Sequence, residues 1–462
     1  MRKSSAKVAI GCAVAAFAFS GFARADTLAG AFAAAYETNP TLQIARAALR
    51  ATDEAIPAAK AGLRPNVTAQ VTAALNRTNL GGPIPTAETA PRSANLVYQQ
   101  VFYDGGRTSN TVDSAISTVH SGRAQLISTE QNVLLGVVTA YMDLRRDQQF
   151  VTLAQNNVRL IREQLRAAKD RFAVGEVTKT DVSQAAARLA QAQAALAAQE
   201  GQLARAVQAY RRVVGVLPGV LEDPPVLPPL PQSSQEAVDE ALGNHPDLQT
   251  AQFNEAASRS DIKTALGALL PTLAVTATGN YALDTGGISA GSSTAVLQVQ
   301  ATIPLYQGGA EYAEIRRTRE VQSQRMAEIH DSARTIQQDV ENSWSDLQVA
   351  RVAIRAGRQQ VSAARLAFDG VKEEANLGAR TTIDVLDAEQ ELLDARTDLV
   401  TALRDEYVAG YALLATIGRL TARDLNLDVG LYNPVTHFNE VSDKAYGFKQ
   451  DELTEWRTSH EP

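Results

Sequence analysis

The two halves of this chain repeat each other at a nearly constant offset, and no other feature restricts the fold so much. Asn39-Pro40-Thr41-Leu42 returns as His245-Pro246-Asp247-Leu248, and Leu63-Arg64-Pro65 as Leu269-Leu270-Pro271, both displaced by 206 positions. Beyond that point the displacement is 203. Phe102-Tyr103-Asp104-Gly105-Gly106 returns as Leu305-Tyr306-Gln307-Gly308-Gly309, and Tyr141, Asp143 and Leu144 as Trp344, Asp346 and Leu347. Gly175, Thr178, Asp181, Val182 and Gly215 return as Gly378, Thr381, Asp384, Val385 and Gly418. A three-residue insertion between Pro65 and Phe102 accounts for the change of offset. One structural unit is used twice.

Each unit reads in the same order. A helical stretch, about Thr27 to Leu63 and again Gln235 to Leu270, is broken by Pro40 or Pro246, which opens its second piece. Two strands follow. Next come tracts without proline, Arg92 to Leu217 and Leu305 to Asn433, in which the strong helix formers Ala, Gln, Arg, Leu and Glu dominate. Gly175 and Gly378 divide these tracts, predicting helices of about 65 residues from near Arg107 and Ala310. At 1.5 Å per residue each is on the order of 100 Å long, and a globular domain has no use for such a rod. Between the units, Pro218 to Ser234 carries Pro224, Pro225, Pro228, Pro229 and Pro231 and reads as an extended strap.

Arg2, Lys3 and Lys7, an apolar run from Val8 to Phe22 and Ala23-Arg24-Ala25 together read as a signal peptide over 1–25. The only cysteine, Cys12, leaves with it, so the mature chain has no thiol chemistry. The domain order is then first repeat 26–217, proline-rich linker 218–234, second repeat 235–418 and a polar C-terminal tail 419–462. The signal removes four basic and no acidic residues, leaving a net charge of −11. An acidic exported chain argues against a nucleic-acid partner. After residue 25 no apolar run reaches the length of a spanning helix, so any membrane part must be β-strands.

Val182, Ala185, Leu189, Ala192, Leu196, Leu203, Ala206, Tyr210 and Val213 form a stripe at spacings of three and four. Val385, Ala388, Leu392, Ala395, Leu399, Ala402, Ala409 and Leu413 form its counterpart. A sustained seven-residue period is a coiled-coil seam, so the rod is a bundle of antiparallel helix pairs. The polar faces differ. Asp384, Asp387, Glu391, Asp394 and Asp398 make an acidic stripe where the first repeat has Asp181, Gln184, Arg188, Gln191 and Ala195. One helix pair therefore faces something the other does not. Gly378 to Asp387 reads as the turn at one end of a tube, with Asp384 and Asp387 on the face lining the hole.

Val67 to Asn76, Asn95 to Phe102, Thr272 to Tyr281 and Ala295 to Ile303 read as four strands, three of them with clear apolar alternation. Segments of about ten residues with one apolar face suit a membrane barrel wall. Four strands cannot close one, because open edges in lipid are prohibitive. A trimer supplies twelve.

These features resemble the TolC family of outer-membrane export ducts. The specific pieces are Gly378-Ala379-Arg380-Thr381-Thr382-Ile383-Asp384-Val385-Leu386-Asp387, the two Tyr-x-Gly-Gly turns and Leu420-Thr421-Ala422-Arg423-Asp424-Leu425. The resemblance implies a mainly α fold with a membrane β-barrel: a homotrimer whose twelve-stranded barrel in outer-membrane lipid continues into a long α-helical periplasmic tunnel. It also implies an exit duct for exported proteins or small molecules, opened by an inner-membrane pump through a periplasmic adaptor. By the same resemblance Asp384 and Asp387 form the pore constriction. Arg380 belongs to an entrance latch with Thr180 and Asp181, and Ala375 stands where the family has a tyrosine. Val174, Gly175 and Glu176, with Leu377, Gly378 and Ala379, are the adaptor-docking tip loops. Six crowded carboxylates should resist joint ionisation, raising some pKa values and favouring cations. The rival reading is a periplasmic coiled-coil adaptor or structural protein without a pore. Catalysis finds little support: Ser260-Asp261-Ile262-Lys263 has a serine–lysine spacing without companion motifs, and no cofactor or metal site is expected.

Overall fold

The computed structural model describes residues 27–79, 81–82, 87–283 and 291–447. The expected signal peptide, the end of the tail and parts of both strand-connecting loops lie outside the described residues. Helix α1 (Leu28–Thr38) and helix α2 (Pro40–Asp53) meet at Asn39, whose side chain accepts the Thr41 N–H at 2.9 Å. The sequence reading has one break here; the structure has two. A short α3 (Ala55–Lys60) follows at Glu54, because Pro57 has no N–H to continue the ladder. The second copy lacks that proline: α6 (Ser234–Asn244) passes through His245 into an uninterrupted α7 (Pro246–Gly267).

Between these stretches the long helices have the expected length. The 67 residues of α4 (Arg107–Ala173) pair with α5 (Lys179–Val214), and the 67 of α8 (Ala310–Asn376) pair with α9 (Thr382–Thr416). Val158, Ile161 and Leu165 of α4 bury against Ala185 and Ala192 of α5. Ala364, Phe368 and Ala375 of α8 bury against Val385, Leu392 and Ala395 of α9. These are the sequence seams, with small residues bringing the axes together. Where the bundle meets α1 and α6, the largest core gathers Phe32, Tyr141, Tyr210 and Tyr411. The proline-rich segment is a strap across it: Leu221, Leu227 and Leu230 pack down, and Tyr141 Oη donates to Glu222 O at 2.8 Å. Helix α10 (Val435–Val441) returns the tail to α2, with His437 Nδ1 3.0 Å from buried Asp53.

The strands form one antiparallel sheet in the order β1 (Asn66–Ala73), β4 (Arg92–Tyr103), β5 (Thr272–Leu283), β6 (Ser292–Thr302). A two-stranded extension, β2 (Asn76–Thr78) with β3 (Ala87–Thr89), continues the first hairpin. The repeats join through β4 and β5, from Tyr98 opposite Ala277 to Arg92 opposite Leu283. Val71, Leu75, Leu297 and Val299 are exposed, so an apolar face looks outward. β1 and β6 are left as open edges. No described helix is long and apolar enough to cross a membrane.

Candidate functional site

The two helical hairpins end in nearly identical turns. Past α4, Gly175 takes φ of +80° and the Glu176 N–H donates to Arg171 O at 2.9 Å. Past α8, Gly378 takes φ of +77° and the Ala379 N–H donates to Glu374 O at 2.9 Å. This bond back across the last turn needs a left-handed residue, which glycine adopts without strain. No atom lies within 4 Å of where a Cβ would stand on either glycine, so backbone geometry alone asks for them.

Each following helix opens on a reciprocal cap. Thr178 Oγ1 accepts the Asp181 N–H at 3.3 Å, and Asp181 Oδ2 accepts the Thr178 N–H at 2.8 Å. Thr381 and Asp384 repeat this at 3.3 and 2.9 Å. The backbone N–H bond first, and the threonine hydroxyl second, hold both carboxyls below the usual carboxylate range. Within a protomer the cap thus opposes the upward push expected of Asp384 from crowding. Asp181 and Asp384 share a structural duty before any other.

One turn later the hairpins diverge. Arg188 Nη2 of α5 donates to Asp387 Oδ1 of α9 at 2.9 Å, tying the first hairpin to the second. Arg380 Nε donates to Glu374 Oε2 at 2.8 Å, within its own hairpin, rather than to Thr180 or Asp181. Glu374 also holds the Arg380 guanidinium more firmly protonated. Thr180 stands exposed on the first turn of α5. Ala375 is 5% exposed and packed in the α8–α9 core. Of the acidic stripe, Asp387, Glu391, Asp394 and Asp398 are exposed and Asp384 partly so. At the tips Val174 is 72% exposed and Leu377 85%, two apolar side chains in water.

Sequence reasoning missed two residues. In the sequence Arg188 is one member of a contrasting polar face, and nothing local marks it as the partner of Asp387. Glu389, beside Asp387 in sequence, turns the other way and is buried between α9 and α4. The signal was present: Leu386 and Leu393 flank it seven residues apart, outside the α8–α9 seam. Among the described residues no group of His, Cys, Asp or Glu could hold a metal ion.

A duplicated hairpin sheet, duplicated helix pairs of this length and an acidic face on one pair define the architecture. The family description "Outer membrane efflux protein" matches residues 32–216 and 237–419, one span in each repeat. The chain belongs to the outer membrane efflux protein family. It is an outer-membrane exit duct, with its helical part in the periplasm. This efflux-family chain is 37% identical to outer membrane efflux protein BepC of Brucella suis biovar 1 over 92% of its length and 93% of that protein. It is 28% identical to alkaline protease secretion protein AprF of Pseudomonas aeruginosa, over 68% of each. The solved Campylobacter jejuni CmeC outer membrane channel superposes with a TM-score of 0.74 at 14% identity, covering 90% of this chain and 89% of that one. These relatives are named as efflux, secretion and channel proteins, not as enzymes. Membership of this family sets aside the reading of a pore-less periplasmic adaptor.

Proposed function

We propose that three copies of the chain close a twelve-stranded barrel and a periplasmic helical tunnel whose entrance is ringed by Asp384 and Asp387. The observation that carries this is the sheet: four strands with an apolar outward face and both edges, β1 and β6, open. An unpaired edge in lipid leaves backbone groups without partners, and three copies joined edge to edge remove every one. The same closure turns three α9 helices and their carboxylates towards a common axis. Arg188, bonded to Asp387, ties the lining helix to the first hairpin in the resting state. Arg380 with Thr180 and Asp181 latches neighbouring copies, a contact that a single protomer does not contain.

The turns Val174–Glu176 and Leu377–Ala379 present their exposed apolar tips to a periplasmic adaptor, through which an inner-membrane pump opens the entrance. BepC is named for efflux and AprF for protease secretion, so small molecules and proteins both stand as cargo, and neither class is favoured by a residue at the entrance. The test is conductance of the purified trimer in planar bilayers. The wild-type channel is expected to prefer cations and to be blocked by multivalent ones. Asp384→Ala/Asp387→Ala should abolish both properties; a double variant with unchanged ion selectivity removes these residues from the constriction.

A further inference from the structure

Glu389 is 5% exposed, and neither carboxyl oxygen has a hydrogen-bond partner. It sits where α9 leans on α4, facing a cavity of about 30 Å³ lined by Leu153, Asn157, Leu160, Phe368, Leu392 and Leu393. That volume admits a single water. Asn157 Oδ1 is also buried without a partner. The seam therefore holds three buried oxygens, none of which receives a hydrogen bond, although the Arg396 guanidinium also lines the cavity. A neutral carboxyl supplies an O–H, directly or through one water; a carboxylate supplies no donor and adds a buried charge that no hydrogen bond meets. The neighbouring contact is apolar, with Leu386 of α9 inserted among Val158, Ile161 and Leu165 of the first hairpin. In the first repeat the corresponding face of α5, Ser183, Ala186 and Ala190, is exposed. Glu389 thus stands only where the two hairpins of one protomer touch.

We infer that Glu389 is a positioning residue that sets by its proton whether α9 stays seated on α4, and so how tightly the entrance rests closed. The inference builds on the proposed role of α9 in lining the entrance. Burial first, and the Glu163 carboxylate of α4 second, push the Glu389 acid from an ordinary 4.5 up to about 7, against the pull of Lys372 on α8. Arg396 of its own helix lines the same cavity, and Arg188 of α5 is engaged by Asp387. The sign follows. Below about pH 4.5 the acid is neutral with the seam open or shut and costs nothing. Between 4.5 and 7 only the shut seam holds the proton, so each step up in pH weakens it. Above 7 the shut seam bears the full penalty. From pH 6 to 8 the population of separated seams rises at most roughly tenfold per protomer, given one tenfold step per pKa unit.

The experiment uses the full trimer in detergent and in bilayers, at pH 6, 7 and 8. Backbone hydrogen exchange over residues 386–396, corrected for the intrinsic pH dependence of exchange, should quicken severalfold in the wild type. Glu389→Gln keeps the shape without the titration, and should stay slow and hold low resting conductance throughout. If Glu389→Gln fails to assemble, Glu389→Leu carries the same expectation. A neutral variant that keeps the wild-type pH profile of exchange overturns the inference. The exchange readout needs no current, so a non-conducting trimer would count against the proposed pore and leave the seam to be judged on its own.

Discussion

Helices α4 and α8 are each 67 residues long, follow the same Tyr-x-Gly-Gly turn, and differ in how much the protomer covers them. α4 has 22 buried residues, packed by α2, α5, α7 and α9; α8 has 11 and packs on α6, α7 and α9. The uncovered part of α8 is apolar in places, with Val349 67% and Leu366 76% exposed. The matching positions in α4 are Arg146 and Glu163. One long helix is thus largely covered inside the protomer, and in the proposed trimer the bare face of the other is the one that neighbouring copies cover. The second helices differ in charge instead: both polar faces are exposed in the protomer, and only that of α9 carries the run of carboxylates.

The largest effect should come from making α8 resemble α4. Val349→Arg with Leu366→Glu removes on the order of 2 kcal/mol of apolar burial per side chain at each interface of a trimer. Heat-modifiable trimers on native electrophoresis should be lost, whereas apolar substitutions at Arg146 or Glu163 should leave them intact. Trimers that survive the α8 double variant would mean that this face is not the one between copies. Next, Asp181→Ala and Asp384→Ala both delete a cap and should fray the first turn of their helices equally by hydrogen exchange. Only Asp384→Ala should lower cation selectivity, and equal loss in both would erase the distinction between the repeats. The smallest effect belongs to the ties. Arg188→Gln breaks one partly exposed ion pair worth at most about 1 kcal/mol, frees Asp387, and should raise resting conductance and cation preference most at low salt. Arg380→Ser should likewise raise resting conductance, with trimers intact.

Much of this was legible without coordinates because it depends on period. The repeat at an offset of 203 shows by matching residues alone, and the seven-residue seams through Ala185 and Ala395 and the Gly175 and Gly378 stops are local patterns that local geometry obeyed. What stayed hidden depends on two distant segments meeting. The Arg188–Asp387 pair joins residues 199 positions apart. Glu389 looks like one more member of an acidic helix until α4 is laid against it. The break at Glu54 differs from these, since its signal, Pro57 inside a helical stretch, is local.

The strap between the repeats has one further consequence. Pro218, Pro224, Pro225, Pro228, Pro229 and Pro231 bring carbonyls but no N–H groups, and the tyrosines at 141 and 407 hold the segment by donating to the Glu222 and Pro225 carbonyls. While the chain is newly delivered its sheet rims are bare, and any extended segment of the same chain is free to pair with them wrongly. A belt so poor in donors cannot complete a ladder against either rim.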